Sequence, residues 1–222
     1  MKKIFLLLIL LFSFCVLLSQ KTTLYIKPIF CNDSLAFDKK YYLEETDDSV
    51  TIHTLKMYIS DIFLFDNQKK IQIKPNYFLI NSDEINTFQI PLTDKNINYT
   101  QLSLLIGTDE QANISANMKG VLDPIHGMYW VWQSGYINIK IEGFSKKLND
   151  HFTYHLGGYQ SPYETAKNIT TNVKGKNFNM KINISDFLLS VDYLKNPTLM
   201  LPGKKAVTFS DLFVKSITFQ DG

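Results

Sequence analysis

The sequence predicts an all-β domain, a two-sheet antiparallel β-sandwich with long loops and one or two short helices. Three observations predict it. Period-2 alternation recurs along the chain: Ile137, Ile139 and Ile141 alternate with Asn138, Lys140 and Glu142, and Phe178, Met180, Ile182 and Ile184 alternate with Asn179, Lys181 and Asn183. Residues two apart on a strand share a face, so each set turns its apolar members to a core and its polar members to water. The apolar segments are short and punctuated by turn residues such as Asn32-Asp33-Ser34 and Asp66-Asn67-Gln68-Lys69-Lys70. Finally, 222 residues with 45% hydrophobic content suit one core of generous size and give no reason to split the chain.

Taken in order, Thr22 to Phe30 is β-rich, and its Pro28 fits an edge position or the end of a strand. Glu44, Glu45, Asp47 and Asp48 lack the spacing of an EF-hand and read as a solvated acidic loop. Val50 to Phe65 is the longest β-like passage, apolar on both faces near its end, which predicts a central strand covered on each side. Ile71-Gln72-Ile73 begins a hairpin return, and Tyr77–Ile80, Phe88–Ile90 and Gln101–Gly107 are further strands. Thr108 to Lys119 reads as loop rather than helix. Pro162 to Asn168 fits one helical turn capped by Ser161, Asp186 to Leu194 a short helix, and Asp211 to Phe219 either a helix or a last strand.

The chain is organised around Gly120 to Gly143. A Pro/Gly-bracketed turn (Asp123, Pro124, Gly127) leads into Met128-Tyr129-Trp130-Val131-Trp132, which holds both tryptophans of the protein. If that segment is extended, Trp130 and Trp132 project to one side. An aromatic plug closing one end of the sandwich accounts for them as well as a functional role does. On the strand His151 to Leu156, His151, Thr153 and His155 share one face, the arrangement a two-histidine copper site on one strand would need. His126 lies in the turn beside the tryptophans, and Met128 is a soft donor within the same motif.

Residues 1–19 read as a secretory signal: Lys2 and Lys3, an apolar run from Ile4 to Phe12, and the small Ser19 before Gln20, leaving residues 20–222 as the exported domain, periplasmic or secreted. Lipidation at Cys15 is disfavoured by the bulky Phe14 before it, and the run is short for a membrane span. Without the signal, Cys31 stands alone, which rules out an internal disulfide; it is expected to be a small buried apolar side chain. The exported domain is formally neutral and contains no arginine, which argues against nucleic acid as partner. No GxSxG elbow, HExxH helix or phosphate-cradling glycine loop occurs, so no enzymatic activity is expected.

The run DPxxGMYWxWxSGY, from Asp123 to Tyr136, followed by a strand and then Tyr154-His155-Leu156-Gly157-Gly158, resembles the MbnP-like family of periplasmic copper-binding proteins. The likeness implies a copper ion as cofactor. It also implies a diheme, peroxidase-like partner of the MauG/MbnH type that oxidises a tryptophan to kynurenine, here Trp130 or Trp132. His155 matches one family ligand. A second, in a pattern like Y-V-H-D-V, corresponds to Ser60 of Tyr58-Ile59-Ser60-Asp61-Ile62, so this chain lacks it. His53 is the nearest substitute, but seven residues from Ser60 it should point to the opposite face of one continuous strand. The metal candidates are thus His155, Trp130, Trp132, His53, His126 and Met128. The competing expectation is a non-catalytic β-sandwich binding or interaction module that keeps the fold and has lost the metal.

Overall fold

The computed structural model of the chain describes residues 21–66, 69–94, 97, 99–115, 118–133 and 135–221. The segment read as a signal peptide, with Cys15, lies outside them. The first strands are β1 (Thr22–Phe30), β2 (Asp33–Ser34), β3 (Lys40–Leu43), β4 (Asp48–Phe65), β5 (Lys70–Gln72), β6 (Tyr77–Asn81), β7 (Gln89–Thr93) and β8 (Gln101–Ile106). There follow α1 (Glu110–Ser115), β9 (Tyr129–Trp130), β10 (Gly135–Ser145), β11 (Asp150–Gly157), β12 (Lys167–Asn172) and β13 (Asn177–Asn183). The chain closes with α2 (Ile184–Val191), β14 (Thr198–Leu199), α3 (Lys204–Lys215) and β15 (Ile217–Asp221).

Two sheets face each other. The smaller has the order β15-β13-β1-β2 with β7 also on β1, and the larger runs β12-β8-β4-β10-β11-β14, with β3, β5 and β6 on β4 and β9 on β10. Pairings are antiparallel except for β1 with β13 and β11 with β14. The core between the sheets takes Leu24, Ile26, Phe178 and Met180 from one side and Ile52, Leu55, Met57, Ile141 and Tyr154 from the other. Phe187 of α2 and Phe213 of α3 close it, their rings edge to face at 5.5 Å.

The long strand β4 is the central one, as its two-faced apolar pattern predicts. On one edge it meets β10 and then β8; on the other it meets β3, β6 and β5. Two irregularities bend it. The register with β10 slips where Gly143 faces Ile52 but Glu142 faces Thr54, leaving His53 as an extra residue. A second slip, between Ser60 and Phe63 against β8, contains Asp61 at φ +47°.

Several expectations need correction. Cys31 is exposed, in a left-handed conformation at φ +53° in the turn after β1, where no core reaches it. Asp48 is buried rather than solvated: it accepts from the Ser145 and Tyr193 hydroxyls and from Lys147 N, tying β4 to the β10–β11 turn. Residues 162–168 form no helical turn: 163–166 are irregular and β12 begins at Lys167. Glu110–Ser115 is helical instead, started by Asp109, whose carboxylate accepts from Ala112 N. Strand β1 is interior to its sheet, and it tolerates Pro28 because β7 covers its first residues and β2 its last two, leaving Pro28 between them. The last segment is both alternatives in turn, α3 and then β15.

Candidate functional site

The outer face of the larger sheet, away from the core, carries the candidate residues. Inward positions of β4 after the bulge are Leu55, Met57 and Ile59, so Thr54, Lys56, Tyr58 and Ser60 lie on the outer side. The same bulge brings His53 to that side as well, which overturns the expectation that His53 and Ser60 point to opposite faces. One extra residue reverses the parity that a continuous strand would keep. Cross-strand registers then set out the face: Lys56 beside Lys140 beside His155, Thr54 beside Glu142 beside Thr153, and Thr51 beside Phe144 beside His151.

At one end of this face a second apolar cluster forms from Tyr58, Leu79, Ala112, Leu122, Met128, Trp130, Tyr136 and Ile137. It exists because two tyrosines on neighbouring strands hold the Gly120–Leu122 turn down. Tyr58 donates its hydroxyl hydrogen to Val121 O at 2.9 Å and Tyr136 to Leu122 O at 2.9 Å, their rings edge to face at 5.7 Å. The Asp123 carboxylate accepts from Ile125 N and starts the next turn, Gly127 reverses the chain at φ +69°, and β9 returns onto β10 with Trp130 opposite Gly135. Asn138 belongs to this construction and does not face water. Its side chain accepts from Thr108 N at 2.9 Å and donates to Thr165 Oγ1 at 2.9 Å, a buried role it takes as the extra residue where β10 slips against β11.

The two indoles are neighbours, 5.5 Å apart and tilted by 40°, but in unequal settings: Trp130 is 6% exposed and Trp132 60%. The six-membered ring of Trp130 fills the space where a side chain at Gly157 would stand. A Cβ at that position falls 2.7 Å from Cζ3 and 3.0 Å from Cη2. This explains the first glycine of the His-Leu-Gly-Gly run; the second, Gly158, adopts φ +134° against Tyr163 O. Gly157 lies two residues beyond His155 on the same strand face, about 7 Å along it. On its other side Trp130 helps to line a cleft of about 240 Å³ with Gln133, Tyr159, Gln160, Tyr163 and Pro202.

His155 is largely covered, and its Nε2 lies 2.7 Å from Glu142 Oε1. That hydrogen bond, together with Lys140 at 3.4 Å and a bond from Thr54, holds the Glu142 carboxyl down to about 2 against the opposing effect of burial. The carboxylate therefore stays ionised and orients the imidazole. Glu142 escapes sequence reading because its pairing with His155 runs diagonally between strands, visible only once the register is known.

The other candidates lie elsewhere. Ser60 is buried on the outer side and gives its hydroxyl hydrogen to Gly107 O at 2.8 Å. Met128 is fully buried in the second cluster, and His126 Nε2 lies 3.1 Å from Gly120 O in the turn. His53 Nδ1 lies 2.6 Å from Asp38 Oδ1, near His151 and toward the far end of the face from Trp130. Among the described residues no group of three or more His, Cys, Asp or Glu side chains is placed to hold a metal ion. No helix among them is long and apolar enough to cross a membrane.

The family model for MbnP matches residues 19–201. The chain is also similar to the solved structure of MbnP from Methylosinus trichosporium, with a TM-score of 0.59 over 77% of this chain and 78% of that one. At 12% identity that likeness speaks to the fold. No curated protein matches.

Proposed function

Because the chain belongs to the MbnP family, we propose that it is an exported, non-enzymatic copper-handling protein whose site is His155, steadied by Glu142, beside the indole of Trp130. The observation that carries this reading is the seat of the Trp130 ring over Gly157, on the strand face that bears His155. It favours Trp130 over Trp132 as the residue whose oxidation would alter the site.

The encoded side chains alone give copper few donors. His155 supplies an imidazole and Glu142 a carboxylate, while the Ser60 hydroxyl is committed to Gly107 and Met128 is enclosed. An indole nitrogen has no lone pair free for a metal. Oxidative cleavage of the Trp130 Cγ–Cδ1 bond by a diheme, peroxidase-like partner of the MauG/MbnH type, with peroxide as the oxidant and hydrolysis releasing Cδ1 as formate, would leave kynurenine, with an aromatic amine and a ketone oxygen exposed. Trp132, tilted against Trp130 and facing solvent, is then the contact point for that partner.

The test is to isolate the exported protein from its native host, measure bound copper, and map residues 120–143 by mass spectrometry. Copper content that falls by one equivalent in His155→Ala relative to wild type, with kynurenine at 130, is the expected result. Metal-free protein with both indoles intact would sink the reading. It would favour a second one, motivated by Ser60 in place of a histidine: a binding module that uses the cleft between Trp130, Tyr159 and Tyr163 to stack a planar or sugar ligand.

A further inference from the structure

The opposite end of the same face holds a second pair of imidazoles. His53, at the β4 bulge, and His151, at the start of β11, lean toward one another across the intervening strand β10, and their ring centroids stand 5.8 Å apart at 45°. Phe144 of β10 packs edge to face against His151 at 5.5 Å and forms the floor. Two imidazoles that share one ion through metal–nitrogen bonds of about 2.0–2.1 Å have centroids about 5–6 Å apart, the spacing seen here.

The pair is also oriented. Asp38 Oδ1 lies 2.6 Å from His53 Nδ1, and as a carboxylate it accepts, so Nδ1 carries the hydrogen and the Nε2 lone pair is left to bind. Asp38 is itself docked, its backbone N donating to Ile52 O at 2.9 Å. A carboxylate that fixes a histidine tautomer from behind is the support that metal-binding imidazoles commonly have. His53 keeps 38% of its side chain exposed and His151 is exposed, so an ion reaches both from solvent.

We propose that His53 and His151, with Asp38 behind His53, form an open surface site for an imidazole-seeking divalent cation, Cu2+ or Zn2+, completed by water. It is separate from His155, which is four residues further along β11, about 13 Å away. It does not depend on oxidation of either tryptophan, and so stands or falls apart from the function proposed above.

The test uses the exported chain with unmodified tryptophans, titrated with Zn2+ by calorimetry and with Cu2+ by electron paramagnetic resonance. Wild type and His155→Ala are expected to bind one ion with the same affinity, with nitrogen coupling from two imidazoles in the Cu2+ spectrum. His53→Ala and His151→Ala should each abolish that two-nitrogen signal, and Asp38→Asn should weaken binding about 10-fold or more. The three histidines are on the sheet's outer face and Asp38 is exposed in the turn before β3, and unchanged melting curves establish that the variants fold. Binding that survives both His53→Ala and His151→Ala, binding that is lost only in His155→Ala, or no binding by wild type each overturns the proposal.

Discussion

Replacing Gly157 by alanine tests the packing on which the site depends. The added methyl group would sit 2.7 Å from Trp130 Cζ3, 3.0 Å from Cη2 and 2.7 Å from Tyr136 O, all well inside van der Waals contact. The strand cannot retreat easily, since Leu156 on its other face is fully buried in the main core. The indole must therefore give way. Overpacking of this kind costs about 1–3 kcal/mol, and for a domain of this size each 1 kcal/mol lowers Tm by about 2–4 °C. Removing the indole alone, Trp130→Ala, should cost about 3–5 kcal/mol. In the double variant the indole clash is gone and only Tyr136 O remains, so Gly157→Ala should cost less there than in wild type, with a coupling of about 0.5–3 kcal/mol. Urea melts of the four proteins close the cycle, and Trp emission of Gly157→Ala should shift to longer wavelength as Trp130 is pushed toward water. Strict additivity with unchanged emission would refute the placement of the ring.

Other outcomes follow from the same coordinates. Glu142, held at about 2 when folded against a usual 4.5, contributes stability that is complete above the unfolded value and lost as pH falls toward 2. With partial exposure taken into account this amounts to roughly 1 kcal/mol, and urea melts between pH 7 and 2.5 should show a shallower acid loss in Glu142→Gln. Asp48→Asn replaces a three-bond acceptor with a group that must also donate, and should cost about 2–4 kcal/mol by thermal melting; a cost below about 0.5 kcal/mol would count against a structural role for the carboxylate. Cys31, exposed in its turn, should react stoichiometrically with an aromatic disulfide reagent in native buffer; a thiol that reacts only in denaturant would contradict the turn.

The strands were legible because alternation is a local property: β10, β11 and β13 follow from their own residues. The site was less so, because it is made by departures from alternation. The bulge that turns His53 outward and the slip that buries Asn138 each insert one residue, and no local pattern announces an inserted residue. Asp48 misleads for a related reason. Among four neighbouring acidic residues only its burial distinguishes it, and that burial comes from Tyr193, 145 positions later. The tryptophan pair was expected as a pair and found as one, but their unequal exposure depends on Gly157, which lies on another strand.

A nuclear Overhauser spectrum of protein labelled at tryptophan and glycine reads the decisive contact directly. Cross-peaks from the Hζ3 and Hη2 protons of Trp130 to the Hα protons of Gly157 are the predicted result. If those protons instead show no cross-peak to Gly157, or contacts confined to Trp132 and the 159–163 loop, the indole does not lie on the strand of His155, and the copper reading loses its footing.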